Sequence, residues 1–204
     1  MTNYTPLPTF TIYTGPMYGS KSTRLIADVD RFSRQGKKIL AYKPKIDNRY
    51  EEGSICTHSG ACIEATCVSN GSEIYKYIKT NVDTNIHNEY VIAVDEAFMI
   101  DGVANVLTYL FRTGMSVIVS SIQLSANFEP FEEIMKMMPY ATKIEICPAV
   151  CPKSGLDAYY TFSKLGVGHE PVVGGDDLYE PRSFHVYPPI NRLYDVDYNI
   201  LEGN

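Results

Sequence analysis

The stretch FTIYTGPMYGSKSTRLI, residues 10–26, decides the fold of this chain. It opens with an apolar run that favours a β-strand and stops at Gly15, and it closes on apolar residues that continue at helical spacing to Phe32. Between them, a glycine turn leads into Lys21 and two hydroxyl side chains. This order of strand, glycine turn, Lys-Ser pair and helix is typical of a P-loop, where backbone N–H groups and a helix N-terminus face phosphate oxygens.

The P-loop pattern predicts a binding site for ATP and Mg²⁺. Lys21 would reach the terminal phosphates, and the hydroxyl group of Ser22 would hold the Mg²⁺ ion. The residues that we predict to bind the nucleotide are Gly15, Pro16, Met17, Tyr18, Gly19, Ser20, Lys21, Ser22, Thr23 and, further along the chain, Asp95.

The loop departs from the usual pattern G-x-x-x-x-G-K-[ST] at one position. Ser20 stands where the second glycine belongs, and Gly19 comes one position early. If the backbone at residue 20 has a positive φ, the serine costs about 1 kcal/mol of strain. The alternative interpretation is an ordinary strand–turn–helix unit with a capping serine.

Length and composition limit the classes of protein. A chain of 204 residues can form one large domain, or one domain with a small appendage. Its net charge of −6 argues against a general nucleic-acid-binding protein and leaves small substrates or proteins as partners. No apolar stretch is long enough to cross a membrane, and no signal peptide is recognisable. Five cysteines do not indicate a disulfide framework, so we expect a reducing, cytoplasmic environment.

Alternating strand and helix patterns predict an α/β fold with a mostly parallel sheet and helices on both faces. Continuous apolar runs predict strands at residues 38–42, 90–94, 116–122 and 143–147. Helical spacing predicts helices at residues 71–80, 103–111 and 131–138, and the polar residues 81–89 are expected to form a loop.

A change in composition near Ala149 divides the predicted P-loop domain, residues 1–148, from a smaller unit, residues 149–190. Prolines, glycines and tyrosines dominate the smaller unit, where we expect short strands around a loop. Residues 166–187 lack a strand or helix period long enough to be stable alone, so we expect them to become ordered only when a ligand binds. Residues 191–204 are predicted to be an exposed tail.

A pair of carboxylates follows the apolar run 90–94. An apolar strand that ends in Asp95, downstream of a P-loop, is the Walker-B arrangement, in which the aspartate holds Mg²⁺ together with Ser22. The adjacent Glu96 could accept a proton from an attacking hydroxyl group. An Asp-Glu pair after a strand is common, so by itself it is weak evidence for a Mg²⁺ site. The P-loop that precedes it in the sequence strengthens that interpretation.

Two further clusters of functional side chains remain ambiguous. Residues 43–50 hold three basic side chains and Asp47 at the end of a predicted strand, where parallel α/β sheets bind ligands, although a solvated charged turn is the alternative. Residues 56–67 hold three cysteines and His58 at spacings that match no standard zinc motif. We expect these cysteines to be small buried apolar residues.

Seven short motifs, spread over residues 10–187, resemble the small, type II thymidine kinases. They are Gly15-Pro16-Met17-Tyr18 with Lys21-Ser22-Thr23, Lys43 with Asp47-Asn48-Arg49-Tyr50, Thr57-His58, Val94-Asp95-Glu96, Pro130-Phe131, Tyr160-Thr161, and Val172-Val173-Gly174-Gly175 with Tyr179. Each motif alone is unspecific, but all seven occur in register.

The resemblance implies a RecA-like P-loop domain, a small C-terminal lasso domain, and ATP-dependent phosphorylation of thymidine at its 5′-hydroxyl for DNA synthesis. It makes Glu96 the general base and places Arg49 near the transferred phosphoryl group. It also implies feedback inhibition by dTTP and a homo-oligomer, a tetramer in the family. The residues that it assigns to the nucleoside are Met17, Met99, Phe131, Tyr160, Thr161, Val172, Val173, Gly174 and Tyr179.

Departures from the family pattern leave two alternatives open. Gln123 and Ala126 stand where the family has an aspartate and a phenylalanine, and Phe98 replaces a glutamine that follows the Asp-Glu pair. The alternatives are a kinase for a different deoxynucleoside and a catalytically impaired nucleotide-binding regulator of the same fold.

The zinc site of the family also departs from its pattern. Its four cysteines correspond to Cys151, Ser154, Ser183 and Val186, so one thiolate of four remains. We therefore expect no zinc, and Cys147, Cys151 and His185 are the weak candidates for a rebuilt site.

Overall fold

The computed structural model of the protein describes residues 7–47, 53–57, 59–165, 174–175 and 177–187. In chain order, the strands are β1 (Phe10–Thr14), β2 (Lys38–Pro44), β3 (Ser54–Cys56), β4 (Cys62–Glu64), β5 (Thr66–Val68), β6 (Tyr90–Asp95), β7 (Ser116–Ser120), β8 (Lys143–Ile146), β9 (Ala149–Val150), β10 (Asp157–Ala158), β11 (Tyr160–Ser163) and β12 (Tyr179–Arg182). The α-helices are α1 (Lys21–Arg34), α2 (Gly71–Asn81), α3 (Val103–Arg112) and α4 (Glu132–Met137). Short 3-10 helices lie at Thr84–Glu89, Ala97–Met99, Met138–Tyr140 and Phe184–Val186.

A six-stranded sheet in the order β5-β2-β6-β7-β1-β8 forms the centre of the molecule, and every neighbouring pair is parallel. Its central strands are apolar on both faces because helices cover both faces. Val91 and Ala93 of β6 belong to the apolar cluster on the α1 face, together with Leu25. Ile92 and Val94 belong to the cluster on the opposite face, with α2 and α3. The predicted α/β fold is confirmed.

The parallel arrangement decides where functional loops meet. The carboxyl ends of β1, β2, β6 and β7 point to one edge of the sheet, so the loops that follow these strands are neighbours there. The P-loop follows β1, and the Asp-Glu pair lies at the end of β6. The sheet therefore brings together two motifs that lie far apart in the sequence.

Several elements differ from their predicted extent. α4 is shorter than predicted and ends at Met137, since Pro139 follows and a 3-10 turn continues to Tyr140. The polar stretch Thr84–Glu89 forms a 3-10 helix instead of a loop. Of the helices in the described part of the chain, none combines the length and apolar character that a membrane span requires.

The antiparallel pair β3–β4 contains a disulfide bond between Cys56 and Cys62. The expectation that these cysteines behave as separate buried apolar residues was wrong. The two residues lie directly opposite each other in the register of the pair, which brings their side chains together. Cys67, Cys147 and Cys151 are free thiols.

The C-terminal unit consists of two small antiparallel pairs, β9–β10 and β11–β12. Within residues 166–187, β12 pairs with β11 over four residues. The expectation that this segment becomes ordered on nucleoside binding stays a prediction. The hairpin aligns Tyr160 with Arg182 and Ser163 with Tyr179. Residues 166–173, which form the first part of the predicted lasso, and the predicted tail lie outside the described residues.

Candidate active site

The loop between β1 and α1 has the shape of a phosphate-binding loop. Gly19 closes a turn by donating its N–H to the carbonyl oxygen of Pro16 at 3.3 Å, and α1 begins two residues later. Lys21 is buried, and its Nζ atom donates a hydrogen bond to the same Pro16 oxygen at 2.6 Å. The loop therefore folds around a buried ammonium group next to the positive end of a helix, an arrangement that attracts phosphate.

Two glycines of the loop are required because the chain after β8 passes very close. A Cβ atom on Gly15 would lie 2.4 Å from the carbonyl oxygen of Cys147, and one on Gly19 would lie 2.3 Å from it. These distances are far below a normal van der Waals contact. The backbone of Cys147 leaves no room for a side chain at residue 19. This explains why the second glycine of the loop is at residue 19, one position earlier than in the usual pattern.

Ser20 occupies the left-handed region with φ +57°, and Tyr18 does so with φ +66°. The condition stated for strain at residue 20, a positive φ, is therefore met. Ser20 is exposed, and its side chain makes no capping hydrogen bond to α1. This local strain costs about 1 kcal/mol, and the rest of the loop holds the conformation in place.

Asp95 ends β6 directly below the loop. Its two carboxylate oxygens accept hydrogen bonds from the Ser22 hydroxyl at 3.0 and 3.1 Å, and Oδ1 also accepts one from the Ser120 hydroxyl. Burial, reinforced by the neighbouring Glu96 carboxylate, raises the pKa of Asp95 to about 6, although the two serines and Lys21 act in the opposite direction.

The set of oxygen atoms around Asp95 fits Mg²⁺. A carboxylate and a serine hydroxyl are hard oxygen ligands of the kind that this ion prefers. Burial is the main cause of the raised pKa of Asp95, so a cation bound at this carboxylate would favour its ionised form. Ser22 and Asp95 are the residues that would hold the ion. Ser120 was not predicted, although a hydroxyl at the end of an apolar strand was a usable signal once β7 was placed beside β6.

Glu96 has an unusual backbone conformation, with φ +49° and ψ +43°. A non-glycine residue in this region is strained, and such residues cluster at functional sites. The turn Ala97–Met99 begins immediately after it, and Phe98 anchors that turn by donating its N–H to the Ser121 hydroxyl at 3.1 Å. The side chain of Glu96 lines the same cleft as Asp95.

A cleft of about 450 Å³ joins these groups. The P-loop forms one side of it, the Asp-Glu pair forms its floor, and the end of the β3 strand forms another side. The lining residues are Met17, Tyr18, Gly19, Ser20, Lys21, Ser22, Thr23, Asp47, Cys56, Thr57, Asp95, Glu96 and Gly175. Asp47, Cys56 and Thr57 were not among the predicted site residues, and Arg49 lies outside the described residues.

The residues predicted to hold the nucleoside are only partly brought together. The Met17 N–H donates a hydrogen bond to Thr161 Oγ1 at 3.2 Å, which joins the P-loop to the C-terminal unit. Met17 lines the cleft, whereas most of the other predicted residues lie outside its lining; these are Met99, Phe131, Tyr160, Thr161, Gly174 and Tyr179. Phe131 packs on Phe98 with ring centroids 4.5 Å apart. Val172 and Val173 lie outside the described residues.

An aromatic cluster beside Thr161 was not predicted. The Phe128 ring centroid lies 5.3 Å from that of Tyr160 and 4.8 Å from that of Tyr187. The Tyr187 hydroxyl donates to the carbonyl oxygens of Thr161 at 3.0 Å and Ala126 at 3.2 Å. The ring of Phe128 therefore lies in this region, two residues after Ala126, which stands where the family has a phenylalanine.

The thymidine kinase family model matches residues 9–187, which is most of the chain. The chain belongs to the thymidine kinase family. Membership in this family supports a kinase that binds nucleotides, in agreement with the P-loop and the cleft.

One solved structure with partial similarity is the genome packaging NTPase from Sulfolobus turreted icosahedral virus 2 in complex with sulfate. It is 11% identical in sequence, with a TM-score of 0.41, and the match covers 65% of this chain and 71% of that chain. Neither value is high enough to support a conclusion about fold or function.

The four positions at which the family resemblance implies zinc ligands lie at a junction in the C-terminal unit. The Ser154 and Ser183 hydroxyls form a hydrogen bond of 2.8 Å, next to the fully buried Cys151. Burial opposes ionisation of Cys151, but hydrogen bonds from the Ser154 hydroxyl and from backbone N–H groups of residues 183, 154 and 153 outweigh it and lower its pKa to about 6. Val186 packs against the apolar cluster that contains Cys151.

The donor atoms at this junction do not fit zinc. One thiol, two hydroxyl groups that already bond each other, and a valine cannot form a tetrahedral sulfur site. The weak candidates for a rebuilt site are not brought together either, since Cys147 packs with α1 whereas His185 is exposed. Among the described residues, no group of three or more histidine, cysteine, aspartate or glutamate side chains could hold a metal ion.

Proposed function

We propose that this chain transfers the γ-phosphoryl group of ATP to the 5′-hydroxyl of thymidine. The observation that carries the proposal is the single cleft in which the P-loop faces Asp95 and Glu96. Phosphoryl transfer depends mainly on positioning and on neutralising charge, and this cleft offers the groups for both tasks. Membership in the thymidine kinase family supports the general class of reaction.

The P-loop and Lys21 would bind the phosphates of ATP. The ammonium group of Lys21 is held at the base of the loop by the Pro16 carbonyl, so it is already desolvated and oriented before a nucleotide binds. Phosphate oxygens are stronger acceptors for a charged donor than a carbonyl oxygen, so we expect Lys21 to exchange partners on binding. The Mg²⁺ held by Ser22 and Asp95 would supply charge neutralisation on the phosphates.

The carboxylates of Asp95 and Glu96 have different roles in the proposed reaction. Both oxygens of Asp95 already accept hydrogen bonds from serine hydroxyls, which fixes that carboxylate as a ligand. Glu96 lies beside it in the cleft wall, on a backbone turn that no regular strand or helix would produce. We therefore assign to Glu96 the transfer of the proton from the 5′-hydroxyl to its carboxylate as the oxygen attacks phosphorus.

The remaining roles follow the family resemblance. Arg49 would stabilise the transferred phosphoryl group, and residues of the lasso would hold the base through Val172, Val173 and Gly174. Feedback inhibition by dTTP, assembly into a homo-oligomer and a cytoplasmic location belong to the same proposal. The proposal also includes the domain boundaries, with the P-loop domain ending at residue 148 and the lasso domain at residue 190.

One observation favours a second candidate, a kinase for a different deoxynucleoside. In the described part of the chain, the Oε1 atom of Gln123 is buried without a hydrogen-bond partner. It borders a small cavity that Tyr160 and Thr161 also line, near the residues assigned to the nucleoside. An unpaired buried acceptor is costly, so a base with an exocyclic amino group, a donor that thymidine lacks, would be favoured.

A coupled assay of ATP consumption with a panel of deoxynucleosides tests these candidates. We expect the largest kcat/KM with thymidine. A larger value with deoxycytidine or a purine deoxynucleoside would support the second candidate. ATP binding without turnover on any member of the panel would contradict both and would indicate a nucleotide-binding regulator.

A further inference from the structure

The disulfide-bonded hairpin β3–β4 forms part of the active-site wall. Cys56 and the adjacent Thr57 both line the cleft that holds the P-loop and the Asp-Glu pair. The partner cysteine, Cys62, lies on the outer side of the hairpin and is exposed to solvent. One sulfur of the bond therefore belongs to the active-site wall, and the other is open to reagents.

We propose that the Cys56–Cys62 pair is a thiol–disulfide exchange site that sets the activity of the cleft. The proposal rests on the proposed kinase function. Its reaction partner is a dithiol, either a small molecule or a protein with two neighbouring thiols, and the oxidised form of that partner carries out the reverse reaction.

The β3–β4 hairpin is so small that one covalent link between its strands affects its stability. β3 and β4 each contain three residues and pair only with each other, and an isolated two-stranded pair is marginally stable. Ile55 anchors its inner side in the apolar cluster under α1. Beyond the disulfide, the outer end is closed by hydrogen bonds of Ala61, whose carbonyl accepts from the Thr57 N–H at 2.8 Å and whose N–H donates to Thr57 Oγ1 at 3.1 Å.

The exposure of the two sulfurs fixes the order of the exchange. A thiolate of the dithiol attacks the exposed Cys62 sulfur, forms a mixed disulfide with it, and releases Cys56 as a thiolate. The second thiol of the reagent then attacks the mixed disulfide and releases Cys62. Two electrons pass to the protein, the reagent ends as a disulfide, and the two protons of its thiols balance the two new protein thiols.

Reduction should loosen the wall without destroying the fold. Ile55 still anchors the inner side of the hairpin and Ala61 still bonds Thr57, but Cys56 is no longer linked covalently to Cys62. Because phosphoryl transfer depends on positioning, we expect kcat/KM to fall by about 3- to 10-fold on reduction.

Three measurements on the purified full-length chain test the proposal. Thiol titration under denaturing conditions should give three free thiols before dithiothreitol and five after it, since three cysteines are free. Hydrogen exchange of residues 53–65 should become faster on reduction. Kinase activity should fall as stated and recover when the reductant is replaced by its oxidised form.

Two variants separate this effect from general thiol chemistry. The double variant Cys56→Ser/Cys62→Ser should have the activity of the reduced protein and should not respond to dithiothreitol. Cys67→Ser, which removes a free thiol outside the cleft lining, should respond as the parent does. A response in the double variant, five thiols without reductant, or unchanged exchange on reduction would each overturn the proposal. Absence of kinase activity in both redox states, with the expected thiol counts and faster exchange, would instead count against the proposed function.

Discussion

The phosphate-binding loop and the C-terminal junction respond differently to loss of the family pattern. In the loop, Gly15 and Lys21 occupy their places in the pattern, and Lys21 donates to the Pro16 carbonyl oxygen. The Cys147 carbonyl oxygen leaves no room for a side chain at Gly15 or Gly19. At the junction, Cys151 is the one cysteine at the four positions where the resemblance implies zinc ligands, and a hydrogen bond between Ser154 and Ser183 joins the same segments.

The difference follows from what each region must do. The junction has only to hold two segments together, and a metal, a hydrogen bond or apolar packing can each supply that free energy. The loop must present charge and N–H groups to phosphate oxygens, and no apolar contact can replace those groups. We therefore expect changes near the loop to affect turnover and changes at the junction to affect stability.

The largest expected effect is that of Glu96→Gln. Turnover should fall by about 10²–10⁴-fold, the usual contribution of a general base, while affinity for a nonhydrolysable ATP analogue stays within a few-fold. The surface change Glu132→Gln on α4, outside the cleft, is the matched control and should leave turnover unchanged. If Glu96→Gln turns over at nearly the rate of the parent, another residue is the general base. The expected difference in turnover between changes near the loop and changes at the junction would then be lost.

A methyl group at Gly19 should act on nucleotide affinity. Gly19→Ala would place Cβ 2.3 Å from the Cys147 carbonyl oxygen, so the loop must move, and we expect affinity for ATP to fall about 10- to 100-fold. Gly36→Ala is the control, because the added Cβ at Gly36 has no atom within 4 Å. Gly36 has a positive φ whereas Gly19 does not, so the control adds backbone strain without the close contact. Isothermal titration calorimetry of both variants measures the effect, and equal affinities would show that the close contact is not limiting.

Metal analysis tests the junction. The purified protein should contain far less than one zinc per chain, because thiolates are missing at three positions. The triple variant Ser154→Cys/Ser183→Cys/Val186→Cys should bind about one zinc per chain, since these positions and Cys151 already converge. It should also melt at a higher temperature with zinc than after chelation, without a change in kcat. Tightly bound zinc in the parent would show that the two regions do not differ as described.

The smallest expected effect is that of Ser20→Gly. Glycine adopts the observed φ of +57° without strain, so the free energy of unfolding should rise by about 1 kcal/mol. Activity should stay unchanged or rise slightly, because the exposed serine makes no capping hydrogen bond. Chemical denaturation measures the change. A large loss of ATP affinity would show that the Ser20 side chain makes a contact of its own with the nucleotide.

The sequence by itself determined the α/β fold, the phosphate loop and the Asp-Glu pair. Each of these depends on local information: apolar runs of strand length, helical spacing, and turn residues next to a lysine. The pattern identified residue 20 as the position where a positive φ would strain a serine, and the structure has a positive φ there. The motifs also sufficed to predict the family.

Only the tertiary structure decided which distant residues meet. The Cys147 carbonyl excludes side chains from the loop, Ser120 holds Asp95, and Tyr187 closes on Thr161. The pairing of Cys56 with Cys62 depends on strand register, and a shift of one residue would separate them. These contacts depend on the order and register of strands in the sheet and its hairpins, which residue spacing along the chain does not specify.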